Sequence, residues 1–202
     1  MGGPKRIPVP GRKAPANVLR INERVEVLSS QRNGAAEMYK KTRNPLYRIE
    51  QSFFEMQADK AMLELLRKWR EAPFRGDLQA RILKKYKSHR EKFREKLEKF
   101  SRKVNPLNFG DYIRIVQKAP EIGSYRKEVR DMAERNDWKG LAREFENKLL
   151  DLVLIDATIR KKSLSGANEL PFTEGQLNNL KETRIKYRQM IEILGRACGS
   201  LK

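Results

Sequence analysis

The sequence predicts an all-α fold: an irregular helical bundle with at least one long, strongly charged helix and an extended basic N-terminal arm. Three observations carry this expectation. Apolar residues recur at alternating three- and four-residue steps through almost every segment after the first sixteen residues, the period of a helix with one buried face. Prolines stand at the joints between those segments, at Pro45, Pro73, Pro106, Pro120 and Pro171, where helices start or stop. Positive charge is concentrated: of a net +19, a share of +7 lies in residues 1–44 and another +7 in residues 77–105.

Residues 1–16, "MGGPKRIPVPGRKAPA", hold four prolines, three glycines and four basic residues, and the first acid of the chain is Glu23. Proline removes backbone donors and biases its predecessor toward extended conformations, so no regular helix forms there. The same prolines argue against an amphipathic transit peptide. An extended arm is expected, with Lys5, Arg6, Arg12 and Lys13 free to follow phosphates.

Residues 17–202 read as a single helical domain whose clearest loop is near residues 163–172. Asn17 is the expected cap of the first helix, which places Val18, Ile21, Val25 and Leu28 on one face and continues after Gly34. Asn44 and Pro45 open the second, expected to run to Pro73. Its apolar face carries Leu46, Ile49, Phe53 and Met56, then rotates toward Met62, Leu66 and Trp69, which suits different neighbours at its two ends. Asp77 is the expected cap of the third, which ends before Pro106. Two shorter helices follow in "DYIRIVQKA" and "SYRKEVRDMAER", resembling a helix-turn-helix only loosely. Asp137 opens the helix expected at the centre of the core, with Leu141, Phe145, Leu149 and Leu152 on one face and Leu150, Leu154 and Ile155 around the rest. Asp156 falls on its apolar side, where an unpaired charge is costly, and Arg160 is the expected partner. Thr173 and Gln176 form a capping box for the last helix, which sets Leu177, Leu180, Tyr187, Ile191 and Leu194 on a seam. Gly195 and Gly199 are expected to loosen its end.

The chemistry of most enzyme classes is missing. One His and one Cys cannot build a Cys/His metal cluster, and neither a P-loop nor a helical Glu-x-x-His pair occurs. His89 on a helical seam and Cys198 at a helix end make no convincing nucleophile and base. The expectation is a non-enzymatic protein with no catalytic residue, metal or cofactor. No apolar stretch approaches the roughly 18 residues of a membrane span. With a single thiol and no apolar signal region, a soluble intracellular protein is expected, a membrane partner being the least favoured.

The stretch "ILKKYKSHREKFREKLEKFSRKV", residues 82–104, carries the charge that needs a partner. At 100° per residue, Ile82, Tyr86, His89, Phe93, Leu97, Phe100 and Val104 form one apolar stripe. Arg81, Lys85, Lys92, Lys96 and Lys99 line one edge of it; Lys87, Arg90 and Arg94 line the other, and Glu91, Glu95 and Glu98 sit opposite. Tyr86, Phe93 and Phe100 read as core rather than as platforms for bases. Nucleic-acid phosphate is the leading partner, RNA ahead of DNA, with other proteins of an assembly meeting the helical seams. The expected function is a structural or assembly subunit of a ribonucleoprotein. The alternatives are an internal or connector protein of a virus particle near packaged DNA, and a helical scaffold for an acidic protein or anionic membrane.

Overall fold

The computed structural model describes residues 16–69, 75–165 (backbone alone over 163–165) and 172–198. Among them every regular element is helical: α1 (Ala16–Thr42), α2 (Pro45–Lys68), α3 (Arg75–Ser101), α4 (Phe109–Tyr112) running into a π-helical turn (Ile113–Gln117), α5 (Ile122–Glu134), α6 (Trp138–Ser165) and α7 (Glu174–Ala197). The all-α expectation holds for this region. The arm, with Lys5, Arg6, Arg12 and Lys13, lies almost wholly outside the described residues.

Helix boundaries follow local chemistry, with some shifts from expectation. Asn44 accepts the Leu46 N–H at 3.0 Å and Pro45 takes the first helical place. Asp137 accepts the Gly140 N–H at 2.9 Å, and the Thr173–Gln176 capping box closes in both directions. Asn17 and Asp77 are not caps. Helix α1 already includes Ala16 and α3 starts at Arg75, which leaves Asp77 in the first turn, where its charge suits the helix dipole. The second helix ends at Lys68, short of Pro73, because Trp69 leaves helical geometry (φ −92°, ψ 87°) and is buried. Helix α6 stays helical to Ser165, so the expected loop loses its first residues.

The turn from α1 to α2 puts Arg43 in the left-handed region at φ 57°, a cost of roughly 1 kcal/mol for a residue with a Cβ. Its N–H donates to the Tyr39 carbonyl at 2.8 Å, and the Tyr39 ring lies under Arg48 at 4.3 Å and Arg43 at 5.8 Å. Guanidinium–ring attraction of about 0.5–1 kcal/mol per contact offsets the strain.

Helices α1 and α2 pack together along their length, α2 packs on α3, α6 on α7, and α5 and α3 close against α7 and α6. The main core is centred on α6, as expected, through Leu141, Phe145, Leu149, Leu152, Val153 and Ile155. Phe53 of α2 stands amid the rings of Phe54, Phe93 and Phe145, with centroids 5.6, 5.6 and 5.1 Å away. A smaller, separate cluster of Val18, Ile21, Leu65, Leu66, Trp69 and Ile82 joins the start of α1, the end of α2 and the start of α3. Gly195 does more than loosen the end of α7. A Cβ there would sit 2.8 Å from Phe53 Cε1, so the missing side chain is what lets α7 close on α2.

Several polar groups inside this packing are paired across helices. Thr158, fully buried, accepts the Leu107 N–H at 2.8 Å and donates to the Leu154 carbonyl, fastening the α3–α4 connection to α6. Asp151 takes two bonds from Arg114, at 2.9 and 3.3 Å, from the widened π-helical turn. Asp156 is paired, but not with Arg160: Arg184 and Arg188 of α7 reach it at 3.6 and 3.9 Å. Arg160 turns instead to Glu98 of α3, at 3.4 Å. An i,i+4 rule sees only one helix, and here the neighbouring helices supply the nearer charges.

Candidate nucleic-acid interface

Helix α3 is amphipathic along its length but shallowly seated. Ile82 and Leu97 are buried, while Tyr86, His89, Phe93 and Phe100 on the same stripe are half-buried. The two basic edges then meet different surroundings, and that difference defines the site.

One edge leans over α2, which presents acids. His89 lies between two of them, Nδ1 at 2.6 Å from Asp59 and Nε2 at 3.7 Å from Glu55. It lies on the seam, and the two carboxylates hold its polar edge. Burial pushes the Asp59 carboxyl up, opposed by His89 and by Lys85. Lys96 is half-buried and donates to Ser52 Oγ at 2.6 Å; burial lowers its pKa while Glu55 supports its charge. Lys96 is thus used to hold α3 on α2. Arg81, Lys85, Lys92 and Lys99 on this edge are exposed. Glu98, expected among the outward acids, bonds Arg102 at 2.6 Å and also binds Arg160, tying α3 to α6.

The other edge opens on a cleft between α2, α3, α6 and α7, with a volume of about 310 Å³. Arg90 and Arg94 line it, joined by Lys60 of α2 and Arg188 of α7, and Glu192 is the one acid among the lining residues. Phe53, Phe93, Leu97, Leu152 and Ile191 supply its apolar wall. Lys87 is exposed and outside the lining. A net +3 over an apolar wall attracts anions strongly, because the low-dielectric surface weakens screening. Sequence reasoning found Arg90 and Arg94 but missed Lys60, Arg188 and Gln57. Nothing in their own segments marks them; only the packing of distant helices brings them to one opening.

A second cavity of about 310 Å³, where α3 ends against α6, is lined by Arg102 and Arg160, both already turned to Glu98. A further cluster of titratable groups lies between α5, α6 and α7. Tyr125 donates to Glu144 at 3.1 Å, and Lys148 stands 5.7 and 5.5 Å from the rings of Tyr125 and Tyr187. Burial, then the neighbouring carboxylates, pushes both phenols well above their ordinary range, so both keep their protons and act as packing and hydrogen-bonding groups. Among the described residues no group of His, Cys, Asp and Glu is placed to hold a metal ion, and no helix is long and apolar enough to cross a membrane.

No protein-family model, curated protein or solved structure matches this chain. The class defined by fold and site is therefore stated from the geometry: an all-α protein with a cationic, apolar-walled cleft along a long helix.

Proposed function

We propose that the protein is a non-enzymatic structural or assembly subunit that binds the phosphate backbone of nucleic acid, RNA in preference to DNA, within an intracellular ribonucleoprotein. The observation that carries this reading is the contrast between the two edges of α3. One is partly answered by Glu55 and Asp59, whereas Arg90 and Arg94 gather with Lys60, and with Arg188 that also reaches Asp156, around a cleft lined by one acid. Cations gathered in this way are electrostatically unfavourable to one another, and phosphate relieves the repulsion by releasing counterions. Lys87 is exposed on the same helix, and the sequence supplies further cations in Lys5, Arg6, Arg12 and Lys13.

The test is binding of fluorescein-labelled single-stranded RNA, duplex RNA and duplex DNA through a salt series. Each phosphate contact contributes a log–log slope of about −0.7 for single strands and −0.9 for duplex DNA. A Lys60→Gln/Arg90→Gln/Arg94→Gln variant is expected to flatten the slope by about two on single strands, and Lys85→Gln/Lys92→Gln/Lys99→Gln by less. No binding at about 50 mM salt, where such association is strong, overturns the reading. So does a cleft variant with an unchanged slope.

A further inference from the structure

We propose that the cleft between α2, α3, α6 and α7 receives one unstacked base of a single strand, so that the protein prefers single-stranded to duplex nucleic acid. This deepens the phosphate-binding reading and rests on it. The argument comes from what the cleft contains besides charge.

Its wall includes the rings of Tyr86 and Phe93, both half-buried on α3 and both reached from the opening. They were expected to serve the core alone. Phe93 does pack on Phe53, yet each keeps surface turned to the cavity. An aromatic surface accepts any base by stacking, because every base has a π-face.

Gln57 of α2 also lines the cleft. It is 2% exposed, so its amide sits at the inner end of the opening. An amide offers a donor and an acceptor side by side. That pairing is what the edge of a base presents in return. A simple acyl chain would leave the amide unanswered, and a bare phosphate would leave the rings uncovered.

The cations complete the fit. Lys60, Arg90, Arg94 and Arg188 surround the apolar wall, where the phosphates on either side of an inserted base must pass. A duplex can satisfy these cations from outside, but it cannot reach Gln57 without unpairing a base.

The experiment compares binding of the full chain to four fluorescein-labelled dodecamers at one salt concentration: single-stranded RNA, single-stranded DNA of the same sequence, the RNA duplex, and a single strand whose central sugars carry no bases. Base insertion predicts that the abasic strand binds roughly tenfold or more weakly than its parent, since stacking one base is worth about that factor. It also predicts that the duplex binds more weakly than the single strand. Gln57→Leu and Tyr86→Leu should weaken the parent strand, leave the abasic strand unchanged and keep the salt slope. Equal binding of parent and abasic strands overturns base insertion while leaving phosphate binding intact. Absence of binding to every strand overturns both. The two single strands separate RNA from DNA as the source of the base.

Discussion

Replacing Gly195 with alanine sets two opposing effects against each other, and the structure decides between them. In a helix interior alanine is favoured over glycine by about 0.8–1.0 kcal/mol, chiefly through backbone entropy. At Gly195 the new Cβ would lie 2.8 Å from Cε1 and 2.9 Å from Cζ of Phe53, well inside van der Waals contact. Phe53 cannot give way. It is 1% exposed, and the rings of Phe54, Phe93 and Phe145 surround it at 5.1–5.6 Å. Helix α7 must then move off α2, and overpacking of this kind costs typically about 1–3 kcal/mol. Gly195→Ala is expected to destabilise the protein by about 1–2 kcal/mol net, lowering Tm by roughly 2–4 °C per kcal/mol for a chain of this size. At Gly34 and Gly123 a Cβ meets nothing within 4 Å, so the same substitution should stabilise by about 0.5–1 kcal/mol. Urea unfolding followed by far-UV circular dichroism reads all three variants against the parent. If Gly195→Ala shifts the midpoint upward as Gly34→Ala does, the close approach of α7 to Phe53 is refuted.

Two further outcomes come from buried polar groups. Glu50 lines a cavity of about 230 Å³ beside Glu146, and burial, then the Glu146 charge, pushes its carboxyl up to about 7. Because the folded pKa is raised, this group's stabilising contribution is full below its unfolded value and is lost as pH rises to about 7. Stability should therefore fall by up to about 3 kcal/mol between pH ~4.5 and pH ~7.5, and Glu50→Gln should remove that fall; parallel pH profiles would sink the assignment. Thr158→Val keeps the shape but leaves the Leu107 N–H without its acceptor. The expected cost is about 1–3 kcal/mol in urea unfolding, with Thr158→Ser recovering most of it.

Local and single-helix features were legible in the sequence. Apolar spacing marked α6 as the centre of the core, and the Asn44–Pro45 opening and the Thr173–Gln176 capping box needed no knowledge of neighbours. Features shared between helices were not. Asp156 was rightly expected to need a cation, but α7 rather than α6 supplies it. His89 lies between acids thirty or more residues earlier in the chain, and α2 offers no pattern that singles out Glu55 and Asp59 as facing α3. The candidate site shows the same division. Helical projection separated the two basic edges of α3, but which edge is answered by protein depends on where α2 lies. Gly195 was read as a helix-end residue because a sequence shows that a side chain is missing, not what the space admits.

The small cluster shared by the starts of α1 and α3 and the end of α2 gives the molecule a second, weaker unit of cooperativity. It contains Val18, Ile21, Leu65, Leu66, Trp69 and Ile82, and it is separate from the core around α6. Regions with few buried apolar contacts open at lower free energy than the global transition, and amide hydrogen exchange reports them as an earlier-exchanging block. That block is where the basic first fifteen residues join the described fold, and α3 also begins in it. The cleft lies farther along α3, against α6 and α7. Opening of this end therefore leaves the walls of the cleft in place.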